Sequence, residues 1–161
     1  MTPKAPSPDP YRDVPLSALL YVTRGTYTAA VRRAQAKVGC GDVPAAGEVL
    51  LNAMEWSGAS LDSVIRFLGI TKQAVSQTVE TLEARGYLES ARDPSDRRRV
   101  RLSLTDRGHA AGRAGRAGID QVDRELTARV GARRFAHARE TLVALLEIKR
   151  QHARLDRPEG A

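Results

Sequence analysis

The chain has one cysteine, Cys40, in 161 residues, so no intramolecular disulfide can form. A reducing, cytoplasmic setting is the natural expectation. Lysine is scarce too: Lys4, Lys37, Lys72 and Lys149 are the only lysines among 26 basic residues, the rest being arginine. No apolar run approaches the roughly 18 residues a membrane span needs, so no membrane partner is expected. The opening decapeptide MTPKAPSPDP is rich in proline and has no signal-peptide core. It reads as a disordered lead-in. No glycine-rich phosphate loop follows a strand, and His109, His137 and His152 stand far apart without clustered acidic or thiol companions. No metal, cofactor or enzymatic activity is therefore expected.

What the chain does carry is positive charge, +7 with a pI near 10.2. This points toward a polyanion such as nucleic acid. The length suits one domain that buries roughly 70% of its unfolded surface, enough for a real core. From Pro15 the pattern is helical. Leu16, Leu20, Tyr27, Val31 and Ala34 keep helical spacing to about Lys37, where VGCGDVP breaks the chain. Pro44 opens a second helix with an apolar face of Val49, Leu50, Ala53 and Met54, closed by Trp56 and Gly58. Trp56 is expected as a core or lid residue rather than a ligand contact.

Ser60 then caps a helix whose apolar face is Leu61, Val64, Ile65 and Leu68, and Gly69 ends it. Thr71 caps the next, with Ile70 packed on Val75 as a hydrophobic staple. Two short helices joined by a glycine-containing turn make a helix-turn-helix. In the second, Val75, Val79 and Leu82 point inward, while Lys72, Gln73, Ser76, Gln77 and Glu80 point outward. In an arginine-rich protein a merely solvated face would carry Arg and Glu. Its first two turns instead hold Thr71, Lys72, Gln73, Ser76 and Gln77, among them side chains that both donate and accept hydrogen bonds, as base edges require.

Gly86 ends this helix, and YLES begins a strand. Val100, Leu102 and Leu104 alternate with Arg99, Arg101 and Ser103, the period of a second strand with one buried face. Between them lies the tip RDPSDRR. A hairpin after a helix-turn-helix is a wing, and its arginines are placed to flank a duplex whose major groove holds the helix. Asp96, two residues before Arg98, can hold that guanidinium extended.

Residues 68 to 108, LGITKQAVSQTVETLEARGYLESARDPSDRRRVRLSLTDRG, closely resemble the winged helix-turn-helix of the MarR family of bacterial transcriptional regulators. The resemblance rests on the helix ending in RGYL, the wing DPSDRR and the strand ending in LSLTDRG. It implies a mainly α fold with a small β wing, and N- and C-terminal dimerisation helices around a winged helix-turn-helix. It also implies a homodimer on double-stranded DNA, cytoplasmic and nucleoid-associated. A wing arginine in the minor groove maps onto Arg98, with Asp96 as its brace and Arg97 as a neighbouring contact, and Arg99 is a further candidate for DNA contact. Members of the family commonly respond to small aromatic or anionic molecules, or to oxidants. The expected organisation is a lead over 1–14, a first dimerisation helix over 15–40 and the DNA-binding region over 41–104. Long C-terminal helices over 105–153 and a frayed tail over 154–161 complete it.

Several features stay open at this level. Thr105 caps a helix in which Gly108, Gly112, Gly115 and Gly118 recur every three or four residues, signifying either close approach of another helix or a weak segment. The last helix, from Ala132 to about Ala153, shows Phe135, Ala138, Leu142, Leu145 and Leu146, a stripe suited to the first helix and a symmetry mate. Tyr21, Arg24 and Tyr27 either line an effector pocket or pack against neighbours. Cys40 is either a passive thiol or, if exposed, a redox switch. The expected function is that of a sequence-specific, ligand-responsive repressor without enzymatic activity. Its rivals are a winged-helix module for protein or RNA contacts and a thiol-based regulator acting through Cys40.

Overall fold

The computed structural model describes residues 10–57, 72–92 and 100–155. Within them the order is α1 (Leu16–Lys37), α2 (Ala45–Ser57), α3 (Lys72–Ala84), β1 (Leu88–Arg92), β2 (Val100–Leu104), α4 (Asp106–Val130) and α5 (Ala132–Leu155). The chain divides into two compact units, one reaching Ile119 and one starting at Asp120.

The first unit closes on one apolar cluster. Leu50, Leu51 and Met54 of α2 meet Val75, Val79 and Leu82 of α3, with Tyr87, Leu88, Ala111, Cys40 and Val43 around them. Each large side chain buried here contributes about 1.5–3 kcal/mol. The inward face of α3 is the one its spacing predicts. That of α2 is rotated from expectation: Leu51 is fully buried and Val49 is exposed. Trp56 is likewise no core residue, because it is 47% exposed with the Arg116 guanidinium 5.1 Å from its ring centre. Pro44 precedes the helix as its cap, its carbonyl accepting the Gly47 and Glu48 N–H groups at 2.8 and 3.0 Å. Glu48 is buried and answered by Nε of Arg32 at 2.8 Å.

Two helices end in the same way. At the end of α3, Gly86 takes φ +70°, the Tyr87 N–H reaches the Leu82 carbonyl at 2.8 Å and the Gly86 N–H reaches Glu83 at 2.9 Å. At the end of α1, Gly39 takes φ +76° and the Cys40 N–H reaches Gln35 at 2.9 Å. Both are left-handed glycine caps that satisfy the last carbonyls and turn the next residue inward. This is what buries Tyr87 and Cys40.

β1 and β2 pair antiparallel in the register Leu88↔Leu104 and Ser90↔Leu102, which puts Leu102 and Leu104 against the core. Thr105 caps α4 as expected, its Oγ1 accepting the Gly108 N–H at 3.0 Å.

The glycine stripe resolves in favour of close approach. Gly108, Gly112, Gly115 and Gly118 are all buried. A Cβ at Gly108 would overlap the carbonyl oxygen of Tyr87, and one at Gly118 would stand 2.7 Å from that of Ala30. At Gly112 and Gly115 the neighbours are side chains of α2, Glu55 and Asn52. The stripe is a rail along which the first half of α4 seats against α1, α2 and the α3–β1 turn. Gln35, buried on α1, reinforces it by donating Nε2–H to the Ala111 carbonyl at 3.3 Å.

In the second unit α4 ends at Val130, Gly131 takes φ +84° and α5 begins at Ala132. Phe135 is half-buried, whereas Ala138, Leu142, Leu145 and Leu146 are exposed, with Val143 and Ile148 beside them.

Candidate nucleic-acid interface

The outward face of α3 follows from its inward one. Because Val75, Val79 and Leu82 are held in the core, Gln73, Ser76, Gln77 and Glu80 on the opposite arc are exposed. Thr78 and Thr81 lie between the faces. Their hydroxyls donate to the Ala74 and Gln77 carbonyls, each at 2.8 Å, a back-bonding that ties them to their own helix. The exposed amides of Gln73 and Gln77 stand one turn apart, each able to donate and accept. Thr71, Asp96, Arg97, Arg98 and Arg99 lie outside the described residues, as do the side chain of Lys72 and the first helix of the helix-turn-helix.

Around the far end of α3 the fold brings together a group that sequence reasoning missed. The Tyr87 hydroxyl donates to Asp42 Oδ1, and Arg107 Nη2 donates to the same oxygen at 2.8 Å. The Arg107 guanidinium lies 4.4 Å over the Tyr87 ring, and its Nη1 donates to the Arg85 carbonyl at 2.7 Å. Arg85 in turn donates to the Asp42 carbonyl, and Thr105 Oγ1 donates to that of Gly86 at 2.6 Å. The hydrogen bond from Tyr87, with Arg107 and Arg85 nearby, holds the Asp42 carboxyl below its ordinary value of 3.8. Burial and the same hydrogen bond push the Tyr87 hydroxyl well above 10.0. A signal existed in the RGYL and LTDRG motifs, which contain Tyr87 and Arg107, but nothing local tied either to Asp42.

The remaining candidates fall in other places. Tyr21 is 85% exposed on α1 and so belongs to no core among the described residues, while Arg24 is exposed and Tyr27 half-buried. Their spacing of three puts them along one side of α1. Cys40 is only 2% exposed, so the exposed thiol that a redox switch calls for is not what the fold provides. The glycine cap of α1 folds it inward, with Sγ 3.7 Å from the Val38 carbonyl. Two histidines do have acidic companions: His109 Nδ1 is 2.7 Å from Glu55 Oε2, and His137 Nδ1 is 3.1 Å from Glu140 Oε2. Among the described residues no group of three metal-ligating side chains forms, and no helix is long and apolar enough to cross a membrane.

A helix with a polar exposed arc, followed by a two-stranded antiparallel hairpin and set among further helices, defines a winged-helix protein. Residues 50–99 match the MarR family model. Among solved structures, a MarR family protein of Mycobacterium tuberculosis in complex with salicylic acid is 26% identical, with a TM-score of 0.57, over 83% of this chain and 98% of that one. The reduced form of MarR from E. coli is 21% identical, with a TM-score of 0.61, over 83% and 98% of the two chains. NadR in complex with 4-hydroxyphenylacetate is 15% identical, with a TM-score of 0.65, over 88% and 99%. No significant match arises among curated protein sequences. Over residues 50–99 the chain thus resembles the MarR family of transcriptional regulators, and its fold is that of solved MarR proteins.

Proposed function

We propose that the protein is a sequence-specific DNA-binding regulator that acts as a homodimer on a pseudo-palindromic operator, most simply as a repressor. The observation that carries this reading is the outward arc of α3. Gln73, Ser76 and Gln77 are exposed opposite a buried apolar ridge, on a chain of net charge +7. A major groove about 12 Å wide admits such a helix, whereas the deep, narrow groove of A-form RNA does not. Thr71 and Lys72 belong to the same surface in this reading. Arg97, Arg98 and Arg99 flank the duplex from the wing, with Asp96 bracing Arg98 for the minor groove.

The protein responds in this reading to a small aromatic acid. Tyr21, Arg24 and Tyr27 offer two rings and a cation along one side of α1, a combination suited to a carboxylate on an aromatic frame. The relatives crystallised with salicylic acid and 4-hydroxyphenylacetate are consistent with that class. Selection of bound fragments from the source genome tests the whole reading. Enrichment of a two-fold symmetric site is expected, and salicylate-like acids should release it. Recovery of no enriched duplex would overturn DNA binding, and no release at millimolar acid would leave Arg24 and its tyrosines without an effector.

A further inference from the structure

We infer that Asp42 is a positioning residue for DNA binding, joining Tyr87 and Arg107 in a lock that fixes the far end of α3 and so aims its near end at the duplex. The inference rests on the DNA-binding reading above and extends it to residues that face no nucleic acid.

Three segments distant in sequence meet at this point: the α1–α2 loop through Asp42, the α3–β1 turn through Arg85 to Tyr87, and the start of α4 through Thr105 and Arg107. One carboxylate oxygen of Asp42 takes both the Tyr87 hydroxyl and Arg107 Nη2, while its backbone carbonyl takes Arg85. Arg107 then reaches back to the Arg85 carbonyl and covers the Tyr87 ring. The α3–β1 turn breaks at Gly86, at φ +70°. Gly86 is itself pinned through its carbonyl by Thr105 at 2.6 Å.

The geometry gives this lock leverage. The 13 residues of α3 make a rod of about 20 Å at 1.5 Å per residue, so a swing of about 10° at its far end moves the near end by about 3 Å, the length of a hydrogen bond. Readout of base edges does not survive that error. The Asp42 side chain is 48% and that of Arg107 43% exposed. A half-exposed ion pair adds little to the stability of a fold, so its bonds matter more for where the turn sits than for whether the core forms.

Cys40 supplies an independent readout. It is the only cysteine, it is buried, and its Sγ lies 4.0 Å from the Arg107 carbonyl, directly behind the lock. Reaction of the thiol with 5,5′-dithiobis(2-nitrobenzoate) therefore reports opening at this point. The experiment compares the full-length parent, Asp42→Ala and Asp42→Asn for thiol reaction rate, melting temperature and affinity for the genomically selected duplex.

In Asp42→Ala the thiol should react about tenfold faster, since protection follows the free energy of local opening. Affinity for the duplex should fall by about tenfold, while the melting temperature falls by only a few degrees as Tyr87 loses its acceptor. Asp42→Asn keeps an acceptor for the Tyr87 hydroxyl and should recover most of both, which also covers the case where Asp42→Ala fails to fold. Parental affinity in Asp42→Ala overturns the inference, whether or not the thiol is exposed. So does an Asp42→Asn variant as weak as Asp42→Ala. A parent that binds no duplex at all defeats the DNA-binding reading itself, a result seen before any variant is compared.

Discussion

At the scale of single residues, the two halves of the interface are expected to fail differently. Gln73 and Gln77 present amides that can pair with an adenine edge bidentately, so Gln77→Ala should change preference at one or two inner base pairs by about 1–3 kcal/mol. Arg98, in the proposed reading, serves the backbone and a narrow minor groove instead. Its replacement by alanine should weaken binding across all sequences and lower the salt slope by about one unit. Binding of each variant to a library of operator mutants at several salt concentrations separates the two, and an Arg98→Ala protein that binds like the parent throughout would leave the wing as solvated charge. Tyr87 carries a pH dependence of definite sign. Its hydroxyl is held above the ordinary value of 10.0, so the folded state keeps the proton longer than the unfolded state does. The resulting stabilisation is complete below about pH 10 and fades as the pH rises through the folded value. Asp42 runs the opposite way, held below 3.8, with its contribution present above that value and lost as the pH falls further. The stability gap between parent and Tyr87→Phe should therefore be constant near neutrality and shrink above about pH 10, as thermal melts across that range would show.

At the scale of elements, the α4 glycines sort by what faces them. At Gly108 an added methyl meets the Tyr87 backbone oxygen, which no side-chain rotation can move away, and at Gly118 it meets Ala30. At Gly115 it meets the amide of Asn52, whose buried Oδ1 has no hydrogen-bond partner among the described residues. Alanine in a helix is worth about 0.5–1 kcal/mol over glycine, while overpacking costs about 1–3 kcal/mol or more. Gly108→Ala should thus destabilise by more than 1 kcal/mol beyond Gly115→Ala, a ranking that denaturant melts decide. The stripe shows why some of the fold was legible in sequence and some was not. Its spacing left close approach and a weak segment equally open, because the atoms that decide between them lie on α1, α2 and the α3–β1 turn. The inward ridge of α3, the strand alternation and the glycine ends of α1 and α3 were readable, since each depends on neighbours within a few residues. The Asp42 lock was not, since its bonds span 45 and 65 positions. The burial of Cys40 was not readable either: Gly39 turns the thiol into a core built from distant elements, in keeping with the passive reading. The outward face of α3 was legible because it is the complement of its core face.

At the scale of the whole molecule, the unanswered apolar surface is the strongest argument for a second copy. Leu142, Val143, Leu145, Leu146 and Ile148 are between 38% and 53% exposed on α5, and Leu16, Tyr21 and Val22 are exposed on α1. Soluble monomers seldom leave so many large apolar side chains uncovered on consecutive turns. A symmetric dimer covers such a stripe with its own copy and presents two α3 helices to one duplex. The half-sites should then lie about one helical turn apart, roughly 10 bp centre to centre. Replacing Leu142 and Leu146 with glutamate puts two like charges on that stripe of each copy. The double variant should sediment as a monomer at micromolar concentration with its helix content intact. Its operator affinity should fall by about a hundredfold or more, because the second half-site is no longer held at high effective concentration. Affinity for an isolated half-site should stay at the parental level, since α3 and the wing belong to a different unit from α5. A charged variant that still sediments as a dimer would place the interface elsewhere. A monomer that keeps full operator affinity would mean that one copy reads the whole site.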